Sequence, residues 1–243
     1  MGASHMIRTS LHRGVGFVLF VSLALSAVAG HDGFSLKRKP KVGDTEELTL
    51  TGTLDVGGGD AKLTGKETVK VTDVKPDGGY TESTDSHDTS VNMAGSDNAV
   101  PDKTETVTYG PDGSVMKIMD GDSEATDGGY RITNLTFFKA PDKPVAVGDD
   151  IKYTIPADKT KMTPGVSYDY KVVAAEKIKD WDTLKMTYTT AETDGDSKAS
   201  TSGTVWVSTL DGSMVKSISK WTNVQMPGVP VPINGEFTIE RTK

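Results

Sequence analysis

Apolar residues alternate with polar residues along most of the chain after residue 42. The alternation is plain in Val69 and Val71, and again in Ile151, Tyr153 and Ile155. A period of two is typical of strands that bury one face. Beyond the N-terminus, no stretch longer than a turn or two has the period of a helix. The pattern therefore predicts an all-β, antiparallel fold in which helix is a minor component.

Alternating segments predict twelve strands, six in each half of the chain. They are residues 45–53, 62–74, 79–86, 103–109, 113–119 and 129–138, then 150–156, 166–176, 181–190, 203–209, 213–221 and 233–241. Asp112-Gly113 and Asp211-Gly212 favour tight hairpins, because glycine readily adopts the positive φ that such turns require. Two polar stretches, 87–102 and 191–202, are predicted as loops.

Paired motifs suggest that the chain is internally duplicated. Val42-Gly43-Asp44 opens the first set of segments, and Val147-Gly148-Asp149 opens the second. Late in each set comes a similar hairpin, Asp112-Gly113-Ser114 in the first and Asp211-Gly212-Ser213 in the second. We therefore predict two homologous six-stranded β units.

The predicted units are residues 42–140 and 141–243, and the connection between them is short and contains Pro141 and Pro144. We expect them to pack as one domain, either as a curved sheet, a half-barrel or a sandwich. A curved sheet resembles the half-barrel carriers that shuttle lipids or lipoproteins across the periplasm, and the resemblance implies carriage of an apolar ligand. Those families hold helices in the concave face, and this sequence has no obvious segment for them.

The N-terminus resembles an export signal behind an expression tag. Residues 1–6 look like the tag, and residues 7–29 have the parts of a signal peptide. Two arginines precede an apolar stretch, 14–26, which is shorter than the ~20 residues that a membrane span needs. Ala27-Val28-Ala29 follows as a small-residue cleavage site. The sequence therefore predicts an exported protein, either periplasmic or extracellular.

Composition excludes several functional classes. The chain has no cysteine, so disulfides, thiolate catalysis and cysteine-ligated metals are excluded. Its 34 acidic against 27 basic residues give a formal net charge of −7 at pH 7, which opposes binding to nucleic acid or to anionic membranes. The one basic cluster, Lys37-Arg38-Lys39, lies in residues 30–41, which we interpret as a solvated basic leader. After signal cleavage we expect no stable membrane insertion and a partner that is an unknown ligand or envelope component.

A metal site is suggested by one acidic turn. Asp120, Asp122 and Glu124 place three carboxylates at alternate positions, and hard oxygen ligands of this kind suit Ca²⁺. The turn lacks the glycine of an EF-hand loop, because its sixth position is Ala125. A structural calcium ion is the one cofactor that the sequence suggests.

A ligand-binding face is suggested by the tryptophans. Trp181, Trp206 and Trp221 all lie in the second half of the chain. Large amphipathic rings stabilise contacts with ligands, although they also fill cores. In Val205-Trp206-Val207 the ring faces away from the two valines. We predict that ligand contacts use these three tryptophans.

No motif in the sequence points to catalysis. The chain lacks a nucleophile elbow, a zinc-protease motif and a P-loop. Beyond the signal, its histidines are His31 and His87. We therefore predict a non-catalytic binding or structural protein of the bacterial envelope or extracellular space. Two alternatives stay open, namely a periplasmic carrier of an apolar ligand in a β-cavity and an enzyme of unrecognised type that uses carboxylates.

Overall fold

The structure, a computed structural model, describes residues 33–55, 59–194, 198–226 and 231–243. The predicted tag, the predicted signal peptide and the start of the predicted leader lie outside the described residues. The described chain belongs to one compact unit. It folds into a single curved, open, antiparallel sheet with one short helix. This architecture confirms the all-β, antiparallel prediction.

The described residues form thirteen strands and one helix. The strands are β1 (Thr45–Asp55), β2 (Asp60–Val74), β3 (Tyr80–Met93), β4 (Ser96–Ala99), β5 (Lys103–Tyr109), β6 (Val115–Asp120), β7 (Ser123–Glu124), β8 (Asp150–Ile155), β9 (Val166–Ile178), β10 (Trp181–Glu192), β11 (Ser200–Ser208), β12 (Met214–Val224) and β13 (Ile233–Arg241). The helix, α1, is Asp127–Thr136 and lies between β7 and β8 in the chain. It is not long and apolar enough to cross a membrane, and no other helix occurs in the described residues.

The strands follow the order β7-β6-β5-β3-β2-β1-β13-β12-β11-β10-β9-β8, and β4 pairs with β3. Each half of the chain forms a meander of neighbouring strands. The pairing of β1 with β13 joins the two halves, so the first and last strands lie in the middle of the sheet. The predicted loop 87–102 is largely strand instead, because β3 continues to Met93 and β4 follows it.

The motifs that repeat in the sequence have matching local structures. Gly43 and Gly148 both have positive φ, at 93° and 102°. The Gly43 amide donates to the carbonyl of Val71 at 2.9 Å, and the Gly148 amide donates to the carbonyl of Val172 at 2.8 Å. The two halves nevertheless end differently, the first in a helix and the second in a strand. Internal duplication therefore stays a prediction.

The sixth strand predicted in the first half, 129–138, is wrong, because most of this segment belongs to α1. Tyr130 packs with Ile118 of β6, whereas Leu135 packs in the core of the other half of the sheet. The buried side chains thus point to two sides of the helix, and the sequence shows no single apolar stripe of helical period. Since α1 contacts β6, β10 and β11, it lies in the concave face of the sheet.

The predicted solvated leader is also wrong where the structure describes it. Phe34 bridges to Val145, Leu36 is 1% exposed, and the side chain of Arg38 is 13% exposed. The Lys39 amide donates to the carbonyl of Asp211 at 2.9 Å. Alternate side chains of the segment turn inward, so residues 34–38 close one side of the concave face.

Candidate ligand-binding cavity

A cavity of about 250 Å³ lies in the concave face, beside the C-terminal end of α1. It is bounded by the segment 36–38, by strands from both halves of the sheet and by the residues that follow α1. Its apolar and aromatic lining is Leu36, Leu48, Val69, Tyr80, Tyr109, Pro111, Phe137, Phe138, Ala140, Tyr170, Tyr188, Val205, Val207 and Met214. The volume exceeds the ~150 Å³ of apolar cavities known to hold benzene, so a small organic molecule fits.

Aromatic rings form two parts of the cavity wall. Tyr80 and Tyr109 are stacked on neighbouring strands, with centroids 4.8 Å apart and planes at 26°. On the opposite side, Tyr170 lies edge-on to Phe138 at 5.2 Å and stacks with Tyr188 at 5.6 Å. Such pairs are held by their own packing, so the wall is formed before any ligand enters.

Hydroxyl groups of the sheet hold the C-terminal end of α1 against this wall. Thr190 and Thr201 both donate to the Leu135 carbonyl, at 2.7 and 2.9 Å. Tyr168 donates to the Asn134 carbonyl. The last carbonyls of a helix lack partners within the helix, and here buried side chains supply them. The docked end positions Phe137 and Phe138, which follow it, beside the cavity.

Charged side chains line one side of the cavity. The guanidinium of Arg38 lies 2.5 Å from Glu46, 3.2 Å from Glu82 and 3.7 Å from Asp211. Arg241 lies 3.7 Å from the same Glu46 carboxylate. Two guanidinium groups therefore pair with three carboxylates. Because buried charges need partners, this network fixes the segment 36–38 to β1 and β3.

Burial governs the titration of the groups in this wall. Loss of solvent raises the pKa of Glu82 above its usual range, Arg38 opposes that effect, and Glu46 adds to it. Burial likewise raises the pKa values of Tyr80 and Tyr109, so both phenols are neutral at physiological pH. The wall thus presents neutral rings next to carboxylates.

The three tryptophans predicted as ligand contacts lie in separate places. Trp206 is on the face opposite the cavity, where its Nε1 donates to Glu176 at 2.5 Å, and it is 7% exposed. Trp221 packs against Phe237, with ring centroids 4.3 Å apart and planes tilted by 42°, and its Nε1 is buried without a hydrogen-bond partner in the described part of the chain. Trp181 lies beside Arg241, whose guanidinium carbon is 5.3 Å from the centroid of the Trp181 ring. None of the three lines the 250 Å³ cavity.

The acidic turn predicted to hold calcium is the hairpin between β6 and β7. Asp120 forms an ion pair with Lys103 at 3.0 Å, and Glu124 accepts a hydrogen bond from Tyr130 at 2.7 Å. Asp122 is exposed at the turn. Among the described residues, no three acidic or histidine side chains are grouped so that they could hold a metal ion. The calcium site stays a prediction from the sequence.

The charged wall was missed from the sequence, although one signal was present. Glu46 lies in phase with Leu48 and Leu50 on β1, so a carboxylate occupies a position of the apolar face. A charged residue on the buried face of a strand indicates either a buried ion pair or a ligand-binding site. Its partner, Arg38, lies in the segment that the sequence predicts to be solvated, because nothing local in the sequence marks their contact.

Comparisons with known proteins give a distant structural likeness. No protein-family model matches the sequence. No curated protein matches it at a significant level. Among solved structures, the hypothetical lipoprotein YmcC from Escherichia coli (K12) is similar with a TM-score of 0.34 and 14% sequence identity, over 85% of this chain and 91% of that one. A likeness at this level assigns no function to the chain.

Proposed function

We propose that this protein is an exported binding protein that holds a small, largely apolar ligand in the cavity beside α1. The observation that carries the proposal is the cavity itself, which is 250 Å³ in volume and lined mostly by apolar and aromatic side chains. Binding sites for small molecules are typically concave, apolar and formed in advance, with few polar groups. The proposal combines two functions that the sequence predicts, a non-catalytic binding protein and a carrier of an apolar ligand in a β-cavity.

The placement of the cavity supports binding rather than packing alone. The second half of the sheet has a continuous buried core around Tyr168, Leu184 and Met186, so the fold does not need the cavity in order to bury apolar surface. Export is supported by the signal-like residues 7–29. The carboxylates of the wall are paired with cations, Glu46 and Glu82 with Arg38 and Asp112 with Lys139, which favours a recognition role over a catalytic one.

A fluorescent probe tests the proposal. N-Phenyl-naphthylamine is a neutral apolar dye whose emission rises on leaving water, and we expect saturable binding with one dye per protein. Ser217 lines the cavity, and Ser217→Phe would fill part of it. We expect that variant to reduce dye affinity at least tenfold.

The matched control is Ser202→Phe. Ser202 lies on β11 and alternates with Thr201, whose hydroxyl faces α1, so the added ring points away from the cavity. This variant should bind dye like the unchanged protein, with circular dichroism confirming that both variants are folded. Absence of saturable binding by the unchanged protein, or equal binding by both variants, would refute the proposed site.

A further inference from the structure

The wall of the cavity contains more negative than positive charge. Of the groups that line it, Arg38 is the one guanidinium, and it faces both Glu46 and Glu82. Arg38 is also shared with Asp211, at 3.7 Å. The lining lysine, Lys37, is paired with Asp142 at 3.4 Å. An anionic ligand would therefore meet no free cation among the described lining residues.

Three carboxylates line the cavity, and one of them, Asp112, is paired with Lys139 at 2.7 Å. Of the other two, Glu46 and Glu82, the second is the less neutralised. Glu46 lies 2.5 Å from Arg38 and is also 3.7 Å from Arg241. Glu82 has a single, longer contact with Arg38, at 3.2 Å, among the described residues. The raised pKa of Glu82 agrees with a buried carboxylate whose charge is incompletely matched.

Neutral ring faces lie next to this carboxylate. Tyr80 is two residues before Glu82 on β3, and both line the cavity together with Tyr109. Aromatic faces attract cations, most strongly where water is excluded. The opposite side of the cavity, with Phe138, Tyr170 and Val205, is apolar. The cavity thus has one end suited to a cation and one suited to a hydrocarbon.

We propose that the ligand is a cationic amphiphile, with a protonated amine against Glu82 and the tyrosine pair and its apolar part against Phe138, Tyr170 and the β11 valines. This inference rests on the proposed function and narrows the ligand to one chemical class. A buried ion pair is favourable only when both charges are matched and hydrogen-bonded. The amine supplies the charge that the network of Arg38 lacks.

A matched series of ligands tests the class. Hexylamine, hexanol and hexanoate have the same chain and differ in the head group, and each can be used to displace N-phenyl-naphthylamine at pH 7. We expect hexylamine to displace the dye at a concentration at least tenfold lower than hexanol, and hexanoate to be the weakest. The charge-assisted hydrogen bond to a carboxylate accounts for that order.

Variants identify the carboxylate. Glu82→Gln should reduce the advantage of hexylamine over hexanol to less than threefold and leave hexanol unchanged. The control Glu47→Gln alters an exposed carboxylate on the opposite face of β1, and it should keep the full advantage. Loss of the advantage in both variants would contradict the role of Glu82.

The outcomes separate this inference from the proposed function. Equal displacement by the three ligands, or stronger displacement by hexanoate, overturns the cationic ligand while the dye still reports a binding cavity. No saturable dye binding overturns the proposed function itself. Because the series on the unchanged protein needs no substitution, the inference remains testable if Glu82→Gln does not fold.

Discussion

The two halves of the concave face differ in how they are filled. The half formed by β8 to β12 has a continuous apolar core, with Tyr168, Val172 and Leu184 fully or almost fully buried. The half formed by β1 to β6 has smaller apolar clusters and places partly buried glutamates at inward positions, Glu67 and Glu82 among them. The first region stabilises the fold, and the second is where the molecule tolerates charge.

The difference teaches why the cavity lies where it does. Helix α1 docks on the packed half through Leu135 and the hydroxyls of Thr190 and Thr201. The cavity lies between its C-terminal end and the charged half, where the segment around Arg38 completes the wall. The cavity therefore lies on the boundary between an apolar surface and a charged one, and a ligand that fits it should be amphipathic.

The largest effect on stability is expected when the same truncation, leucine to alanine, is made in each of the two halves. Leu184 is 0% exposed in the packed half, and Leu48 is 5% exposed but lines the cavity. Leu184→Ala should lower the free energy of unfolding by about 3–4 kcal/mol, because it removes a side chain and leaves a void. Leu48→Ala should cost less, about 2 kcal/mol, because one side of that leucine already faces open space.

Urea denaturation measures both values, and Leu210→Ala, which alters an exposed leucine, is the control with almost no effect. Equal costs for the two buried leucines would mean that the cavity half is packed as tightly as the other. The contrast between the halves would then be wrong.

Trp206→Ala should have the next largest effect, on stability and not on binding. The ring is 7% exposed and lies between the ammonium groups of Lys185 and Lys216, 5.2 and 5.9 Å from its centroid. Truncating a buried aromatic costs ~3–5 kcal/mol, and we expect about 3 kcal/mol because lysine chains, not a closed core, cover this ring. Dye binding by the folded variant should not change, since Trp206 lies on the other face.

Denaturation and dye titration of the same sample separate the two roles. A drop in dye affinity with no loss of stability would instead support the ligand contact that the tryptophan pattern predicts.

A third effect concerns the ion pair that anchors α1. The guanidinium of Arg131 binds both oxygens of Glu192, whose side chain is fully buried and also accepts the Ala199 amide at 2.9 Å. Arg131→Met leaves the carboxylate buried without its cation, which should cost about 2 kcal/mol because the arginine is partly exposed. The double variant Arg131→Met with Glu192→Gln should recover part of that loss. If the single and double variants have equal stability in urea, the pair does not hold the helix.

Much of the sheet could be predicted from the sequence, because each strand buries one face. The predicted segment 233–241 coincides with β13, and 166–176 falls short of β9 by two residues. Two things could not be predicted. Helix α1 is buried on two sides, so Tyr130 and Leu135 show neither a strand pattern nor a single helical stripe. The pairing of Arg38 with Glu82 joins residues far apart in the chain, and nothing local in the sequence records such a contact.

The smallest expected effect is the pH dependence of the charged half. Burial, and secondly the charge of Glu105, raise the pKa of Glu67 above the usual 4.5. A carboxyl with a raised pKa binds its proton more tightly in the folded state, so stability falls as pH rises from 4.5 through the raised value. Glu67→Gln removes this penalty and should increase the free energy of unfolding at pH 7 by less than about 1 kcal/mol.

The same substitution should flatten the stability profile between pH 4.5 and 7, whereas below pH 3.8 the loss of stability from Asp211, whose pKa is lowered, should persist. The control is Glu236→Gln, at an exposed position of β13, and its profile should follow that of the unchanged protein. Urea denaturation at several pH values gives both profiles. A destabilised Glu67→Gln at pH 7 would mean that the carboxylate has a favourable partner, and that the first half buries matched charge instead of tolerating unmatched charge.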